Sequence, residues 1–346
     1  MRYMTAPYLR IATEEACAPP ELLDRYRAML RDGSYADPGF HSLLGFYMTN
    51  TEPRVRRVFE RMADLDALRI ADMDATGIAR QILSITAPGV QVFDAPTGSA
   101  LARLCNDYMS DGIRRYPERF SGLAAIAPQD PAAAARELER AVKTLGLKGA
   151  LINSHTRGEY LDDPKFWEIF EAAESLDVPI YLHPTAPPAS MIRPFLERGL
   201  DGAIYGFAAE TGLHLLRIIV GGVFDRFPKL HIVAGHLGEG LPYWLFRIDF
   251  MHGRMVAANR YASVTKLQRR PSDYIKENLY ITSSGMSWAP PILYAQSVLG
   301  VDRVLYAMDY PYQFVPEEVQ VTDDLPINAA DKKMFYQSNA ERVFRI

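Results

Sequence analysis

Eight short apolar runs, each followed by a longer stretch of helical period, limit most sharply what this chain can fold into. They are RIAT (10–13), ARQILSIT (79–86), FSGLAAIAP (120–128), LKGALINS (147–154), VPIYLHP (178–184), LHIVAGH (230–236), LYITSSG (279–285) and VLYAMD (304–309). Strands joined by helix-length connections do not pair as hairpins, and each crosses over to a parallel neighbour. Eight such units favour a closed ring over an open sheet. The expected fold class is α/β, a (β/α)8 TIM-like barrel, as one domain over 1–346.

The intervening segments carry helix punctuation. Asp130 caps and Pro131 opens one helix, whose Leu138, Val142 and Leu145 share a face before Gly146. Asp163 and Pro164 open another, with Phe166, Phe170 and Ala173 on one side. The span 17–78 is long for a first βα connection and reads as a structured excursion that contributes to the substrate pocket. Within it a helix starts at Pro53, with Asn50 or Thr51 as its cap. INAADKKMFYQSNAERVF makes a closing helix.

With 48% hydrophobic and 23% charged residues, the chain can bury a large core. A formal net charge of -4 leaves no footprint for nucleic acid or an anionic membrane, so neither is an expected partner. The first twenty residues have no continuous apolar segment, and GLHLLRIIVGGVF is interrupted by His214 and Arg217. A cytoplasmic protein is expected. Cys17 and Cys105 have no CxxC spacing and read as reduced thiols.

If the runs are barrel strands, their C-terminal ends form one mouth. Glu14 and Glu15 follow the first run, His183 ends the fifth, His236 the sixth, Ser283 and Ser284 the seventh, and Asp309 the eighth. Each alone has an ordinary use: the glutamates as a turn or capping box, the histidines as hydrogen-bonded core groups, Asp309 as a cap. Of the other histidines, His155, after the fourth run, stands nearest to such a place. Together the carboxylates and imidazoles make a mixed O/N set for one divalent ion, and these ligand types suit Mn²⁺, Fe²⁺ or Zn²⁺ alike. A cation or a paired histidine removes most of the cost of burying Asp309.

Four motifs, IATEEA, YLHP, AGHLGEGLPYWLFRID and YAMDYPY, as a set resemble the metal-dependent decarboxylase branch of the amidohydrolase superfamily over nearly the whole length. The resemblance implies a barrel of the amidohydrolase type. It also implies that Glu14, His183 and Asp309 hold one divalent ion, Mn²⁺ first and Zn²⁺ second, with His236 beside it as acid–base partner and Asp309 also carrying a proton. Tyr47, Arg54, Arg247 and Tyr312 match positions around the substrate. The implied reaction is non-oxidative decarboxylation of an ortho-hydroxy aromatic acid, 5-carboxyvanillate to vanillate and carbon dioxide in the catabolism of lignin-derived aromatics. The alternatives are a metal-dependent hydrolase or hydratase, or another hydroxybenzoate decarboxylase such as one for resorcylate. Related hydrolases open with His-x-His, and the resorcylate enzymes with Glu followed two residues later by His. Here that second position is Ala16, which argues against a two-metal hydrolytic site. The resemblance further implies a homo-oligomer, a dimer or larger.

Overall fold

The computed structural model describes residues 7–346. Each of the eight runs contains a strand: β1 (Ile11–Cys17), β2 (Arg80–Ile85), β3 (Phe120–Gly122), β4 (Ala124–Ala125), β5 (Ala150–Asn153), β6 (Ile180–His183), β7 (Ile232–Ala234), β8 (Leu279–Thr282) and β9 (Val304–Leu305). The third run is divided at Leu123, where the backbone changes partner. The Leu123 N–H donates to Leu83 O at 2.8 Å on one side, and the Ala124 N–H donates to Gly149 O at 2.8 Å on the other.

Neighbouring strands pair in parallel, in chain order from β1 to β3 and from β4 to β9. The two ends of the series meet. The Thr13 N–H donates to Tyr306 O at 3.1 Å, the Ala16 N–H to Tyr310 O at 2.6 Å, and Glu15 bridges Tyr310 in parallel. Inside the ring, Ile11, Ile82, Leu123, Leu151, Tyr181, Val233, Tyr280 and Leu305 pack as one cluster, one side chain from each run. That layer is a filled barrel core, closed underneath by Ala340 and Phe344 of the C-terminal helix Asn339–Phe344. A larger apolar cluster joins the outer strand faces to the helices.

The excursion after β1 holds four helices, Pro20–Asp32, Pro38–Thr49, Pro53–Ala63 and Ala67–Thr76. The cap of the third is Glu52, not Asn50 or Thr51: its carboxylate accepts from the Val55 N–H at 3.2 Å. Asn50 instead accepts from the Glu52 N–H at 2.8 Å, a turn that leads into the helix. The segment opening at Pro164 begins as a 3₁₀ turn, Pro164–Phe166, before the helix Trp167–Leu176. Gly146 lies beyond the Thr144 cap of the helix Pro131–Lys143, at φ 74°.

Candidate functional site

Above the apolar layer the inward-facing positions turn polar. Two residues past Leu151, Tyr181, Val233 and Tyr280 stand Asn153, His183, Gly235 and Thr282, and four past Leu305 stands Asp309. In β1 the same count from Ile11 would send Thr13 inward. The register of β1 on β2 slips between Ala12 and Glu15, and this bulge turns Glu14 to the inner face. Glu14 and Glu15 therefore lie within the strand and not after it.

The Glu14 carboxylate is the centre of the constellation. Its Oε2 accepts from the Tyr181 hydroxyl and from Thr282 Oγ1 at 3.3 Å. A side chain at position 235 would collide with Oε2 at 2.4 Å, so Gly235 is the cradle in which the carboxylate sits. Oε1 is buried with no hydrogen-bond partner, although His183 Nε2 stands 3.3 Å away and His236 Nε2 3.5 Å. For His183 the reason lies on the far side of the ring. His183 Nδ1 is 2.8 Å from Pro184 O, a carbonyl that only accepts, so Nδ1 carries the proton and a neutral His183 turns a bare Nε2 lone pair toward Oε1. His236 Nδ1 likewise donates to Glu239 Oε1 at 2.7 Å. The His183 lone pair facing a bare carboxylate oxygen in a buried place is an arrangement that a cation between them would satisfy.

Asp309 completes the set across Gly285, whose added side chain would lie 3.5 Å from Asp309 Oδ2 and 3.3 Å from the His236 ring. Among the described residues, no three His, Cys, Asp or Glu side chains are drawn together as a finished metal cage. The donor chemistry nonetheless fits a divalent ion: an orphaned carboxylate oxygen, a lone-pair imidazole and the half-buried carboxylate of Asp309. Strain gathers at the same place. His236, Leu237, Glu239 and Asp309 have φ of 49°, 57°, 55° and 65°, left-handed values that non-glycine residues hold under constraint.

The environment separates the carboxyl groups. Burial pushes Glu14 up, but the His236 charge, the His183 ring and the hydroxyl of Tyr181 outweigh it and hold the group below the usual carboxylate range. Burial and repulsion from Glu14 raise Asp309, more than the two histidines lower it. Burial raises Glu15, which lies away from the imidazoles, to about 8. Burial opposes a charge on His236, yet Glu239 and Glu14 raise it to about 10. One carboxylate is held ionised and a neighbouring one is biased toward the acid form, the division of labour that proton transfer requires.

Two cavity lobes meet here. One, about 210 Å³, is lined by Leu43, Tyr47, Ala87, His183, Phe207 and Tyr312. The other, about 230 Å³, runs past Ile204, Glu239, Met286 and Gln313; His236, Asp309, Phe207 and Ala203 border both. An apolar cavity of roughly 150 Å³ already admits benzene. Tyr47 and Tyr312 stand edge to face at 5.3 Å, and the Tyr312 hydroxyl is 2.6 Å from Thr86 Oγ1. Arg54 is exposed, close enough for its charge to act on Tyr47. Arg247 is also exposed and lines a separate groove of about 500 Å³ between the helices Gly206–Val220 and Leu241–Ala257, which shares Glu239 with the site.

The structure thus brings together Glu14, His183, His236, Asp309, Tyr47 and Tyr312, and leaves both arginines outside the lobes. His155 is spent on structure, between Ala186 O and the Gly158 N–H. Tyr181, Thr282, Gly235, Phe207 and Gln313 escaped the motif reading. For Tyr181 a signal existed: two residues before His183 on a strand, it shares the histidine's face.

Comparison with known proteins agrees with this geometry. The amidohydrolase family model matches residues 36–346. The gamma-resorcylate decarboxylase of Polaromonas sp. (strain JS666) is 36% identical over 310 residues, 87% of this chain and 93% of that protein. A crystal structure of 5-carboxyvanillate decarboxylase from Novosphingobium aromaticivorans, with manganese and 4-hydroxy-3-methoxy-5-nitrobenzoic acid, matches with a TM-score of 0.96 at 50% identity, over 98% of this chain and 97% of that one. The 5-carboxyvanillate decarboxylase of Sphingomonas paucimobilis gives 0.92 at 42%, over 98% and 99%. Likeness of this degree along nearly the whole of both chains makes this chain a member of the amidohydrolase family, on its metal-dependent decarboxylase branch.

Proposed function

We propose that the chain removes carbon dioxide, without oxidation, from an ortho-hydroxy aromatic acid, with 5-carboxyvanillate as substrate and vanillate as product. One observation carries the reading: an aromatic-lined cavity is bordered by Asp309, which is biased toward the acid form, and by His183 and His236, behind which lies the ionised Glu14 carboxylate. Glu14, His183 and Asp309 would hold the ion, Mn²⁺ by likeness to relatives crystallised with it. When bound, the ion supplies Lewis acidity toward the phenolic and carboxylate oxygens.

Direct loss of carbon dioxide from the ring would leave an aryl anion. Asp309 avoids it by delivering its proton to the carboxylate-bearing carbon of the substrate's phenolate form, which gives a dienone. The C–C bond then breaks, its electron pair restores the aromatic ring, and carbon dioxide departs. Such a general acid contributes ~10²–10⁴-fold. His236, held as imidazolium by Glu239, keeps positive charge beside the developing anion. Tyr47, Phe207 and Tyr312 bound the ring and exclude water. Arg54 would close on a carboxylate from the exposed rim.

Exposed Tyr243, Trp244, Phe246 and Phe250 crowd one side of the helix Leu241–Ala257, with Arg247 among them. Such a face supports a homo-oligomer, in which Arg247 would lie at the interface. No helix among the described residues is long and apolar enough to cross a membrane. Two free thiols suit the reducing cytoplasm, and 5-carboxyvanillate as substrate would place the reaction in the catabolism of lignin-derived aromatics. Likeness to gamma-resorcylate decarboxylases favours 2,6-dihydroxybenzoate as a second substrate reading. Chromatography of Mn²⁺-loaded protein incubated with each acid tests both. Vanillate and carbon dioxide are expected from 5-carboxyvanillate; resorcinol from the other acid alone would move the assignment, and no decarboxylation of either would overturn it.

A further inference from the structure

We propose that Arg69 and Asp72, on the helix Ala67–Thr76 of the excursion, are positioning residues that set the Asp309 carboxylate from behind the barrel wall by way of Tyr310. The proposal rests on Asp309 being a ligand and acid, as argued above.

Asp309 holds a left-handed backbone at φ 65°, and a side chain on such a backbone stays put only if its neighbours are pinned. Both are. The Met308 N–H donates to Glu15 Oε1 at 3.0 Å, and Tyr310 O accepts from the Ala16 N–H at 2.6 Å. Those contacts come from β1 and fix the strand end. They hold backbone only, and the Tyr310 side chain is held from elsewhere.

Tyr310 is wholly buried, and its ring and hydroxyl are held by the excursion. The Arg69 guanidinium lies 4.5 Å from the ring centroid, and the Tyr310 hydroxyl donates to Asp72 Oδ2 at 2.9 Å. The same Asp72 oxygen takes Arg61 Nε at 2.7 Å, and Arg61 in turn covers Phe314 at 4.6 Å. Arg69 is itself held on several sides. It is wholly buried and donates to Ala16 O at 2.6 Å, to Gln81 Oε1 and Asp64 O at 3.0 Å each, and to Arg61 O at 3.2 Å. One guanidinium therefore ties the strand that carries Glu14 to the residue beside Asp309, and fixes the two carboxylates relative to each other. Outer partners that orient metal-binding groups matter to the site even though they touch neither ion nor substrate.

Tyr310→Phe keeps the ring over Arg69 and deletes only the hydroxyl; Asp72→Ala deletes its acceptor, and Asp72→Asn keeps one. Mn²⁺ affinity is measured by titration of free Mn²⁺ by electron paramagnetic resonance, alongside kcat, KM and thermal midpoints of the metal-free proteins. Loss of an outer partner weakens metal binding by about 10–100-fold. That loss is expected for Tyr310→Phe and Asp72→Ala, with kcat lowered and KM little moved. The double variant should be no worse than Asp72→Ala alone, because that single already removes the one contact that Tyr310→Phe deletes, and Asp72→Asn should recover most of the affinity. Unchanged Mn²⁺ affinity in soluble Tyr310→Phe would overturn the proposal, as would strictly additive losses. Asp309→Ala separates the two levels. If it binds Mn²⁺ normally, Asp309 is no ligand and the reading beneath fails; if it loses Mn²⁺ while Tyr310→Phe does not, only the positioning is wrong. Should Asp72→Ala not fold, Tyr310→Phe decides alone.

Discussion

Glu14 and Glu15 are adjacent in sequence, in one strand and both buried, yet they belong to different parts of the molecule. Glu14 faces the mouth, against His183, His236 and Tyr181. Glu15 faces the wall, where it accepts from the Met308 N–H and lies within reach of Gln81 and the Arg69 charge. Strand alternation alone separates neighbours onto opposite faces, but the bulge between Ala12 and Glu15 decides which of them goes in. The lesson concerns charge as much as direction. Paired with imidazoles, a buried carboxyl stays ionised; without them, burial drives it toward the neutral acid.

The largest effect expected on the mouth-facing side is at Asp309. Asp309→Asn can still approach a cation but has no proton to give. With excess Mn²⁺ and one ion per chain verified by elemental analysis, carbon dioxide release should fall ~10²–10⁴-fold. No deuterium should enter the ring from heavy water. A metal-replete variant close to wild type would pass the acid role to His236 and leave Asp309 a ligand.

Glu14→Gln against Glu15→Gln is the direct contrast. Glu14→Gln removes the charge facing two imidazoles, and metal content should fall together with turnover. Glu15→Gln replaces a carboxyl that is largely neutral near pH 7 by an amide of the same shape, so occupancy should survive. Reversal of this order in elemental analysis would mean that the bulge does not set the ligand. His183→Ala should follow Glu14→Gln.

Much of this contrast is legible in the sequence, and the illegible part has a definite cause. The runs place His183, His236 and Asp309 at one mouth because strand period and parallel crossover are local properties. Glu14 and Glu15 could be separated from the residues only by knowing the bulge, which depends on pairing with Gln81 and Leu83, some seventy residues away. Arg61, Arg69 and Asp72 carry no signal of their own in the sequence, since nothing local says that Tyr310 will arrive against them. Arg247 shows the converse. Its motif marked it for the substrate, but its helix turns it onto an exposed groove away from the lobes.

A smaller effect is expected at the rim. Arg54 is exposed, so Arg54→Met should leave circular dichroism and metal content unchanged while kcat/KM falls. A charged hydrogen bond is worth about 1.5–3 kcal/mol, and exposure favours the lower figure, roughly tenfold. Arg247→Met should have a similar effect only where the protein is oligomeric. Size-exclusion chromatography of each variant, run beside the kinetics, checks this; equal losses in a monomeric preparation would put Arg247 in its own chain's site.

The smallest expected effect sharpens the comparison from the side of Glu15, through pH. Its folded-state pKa, about 8, lies above the ordinary value of 4.5. Between those values the folded chain binds a proton at Glu15 that the unfolded chain does not. The stability this group contributes is therefore full below about pH 4.5 and is lost as pH rises through about 8. Glu15→Gln removes the titration, so the thermal midpoint of chelator-stripped protein should fall less steeply between pH 5 and 8 than in wild type, with the curves diverging toward alkaline pH. Stripping the metal matters, because a cation on Glu14 would add its own field one residue away. Parallel curves would mean that Glu15 is ionised throughout and paired with Arg69 in the wall. The two glutamates would then differ in direction alone, and not in charge.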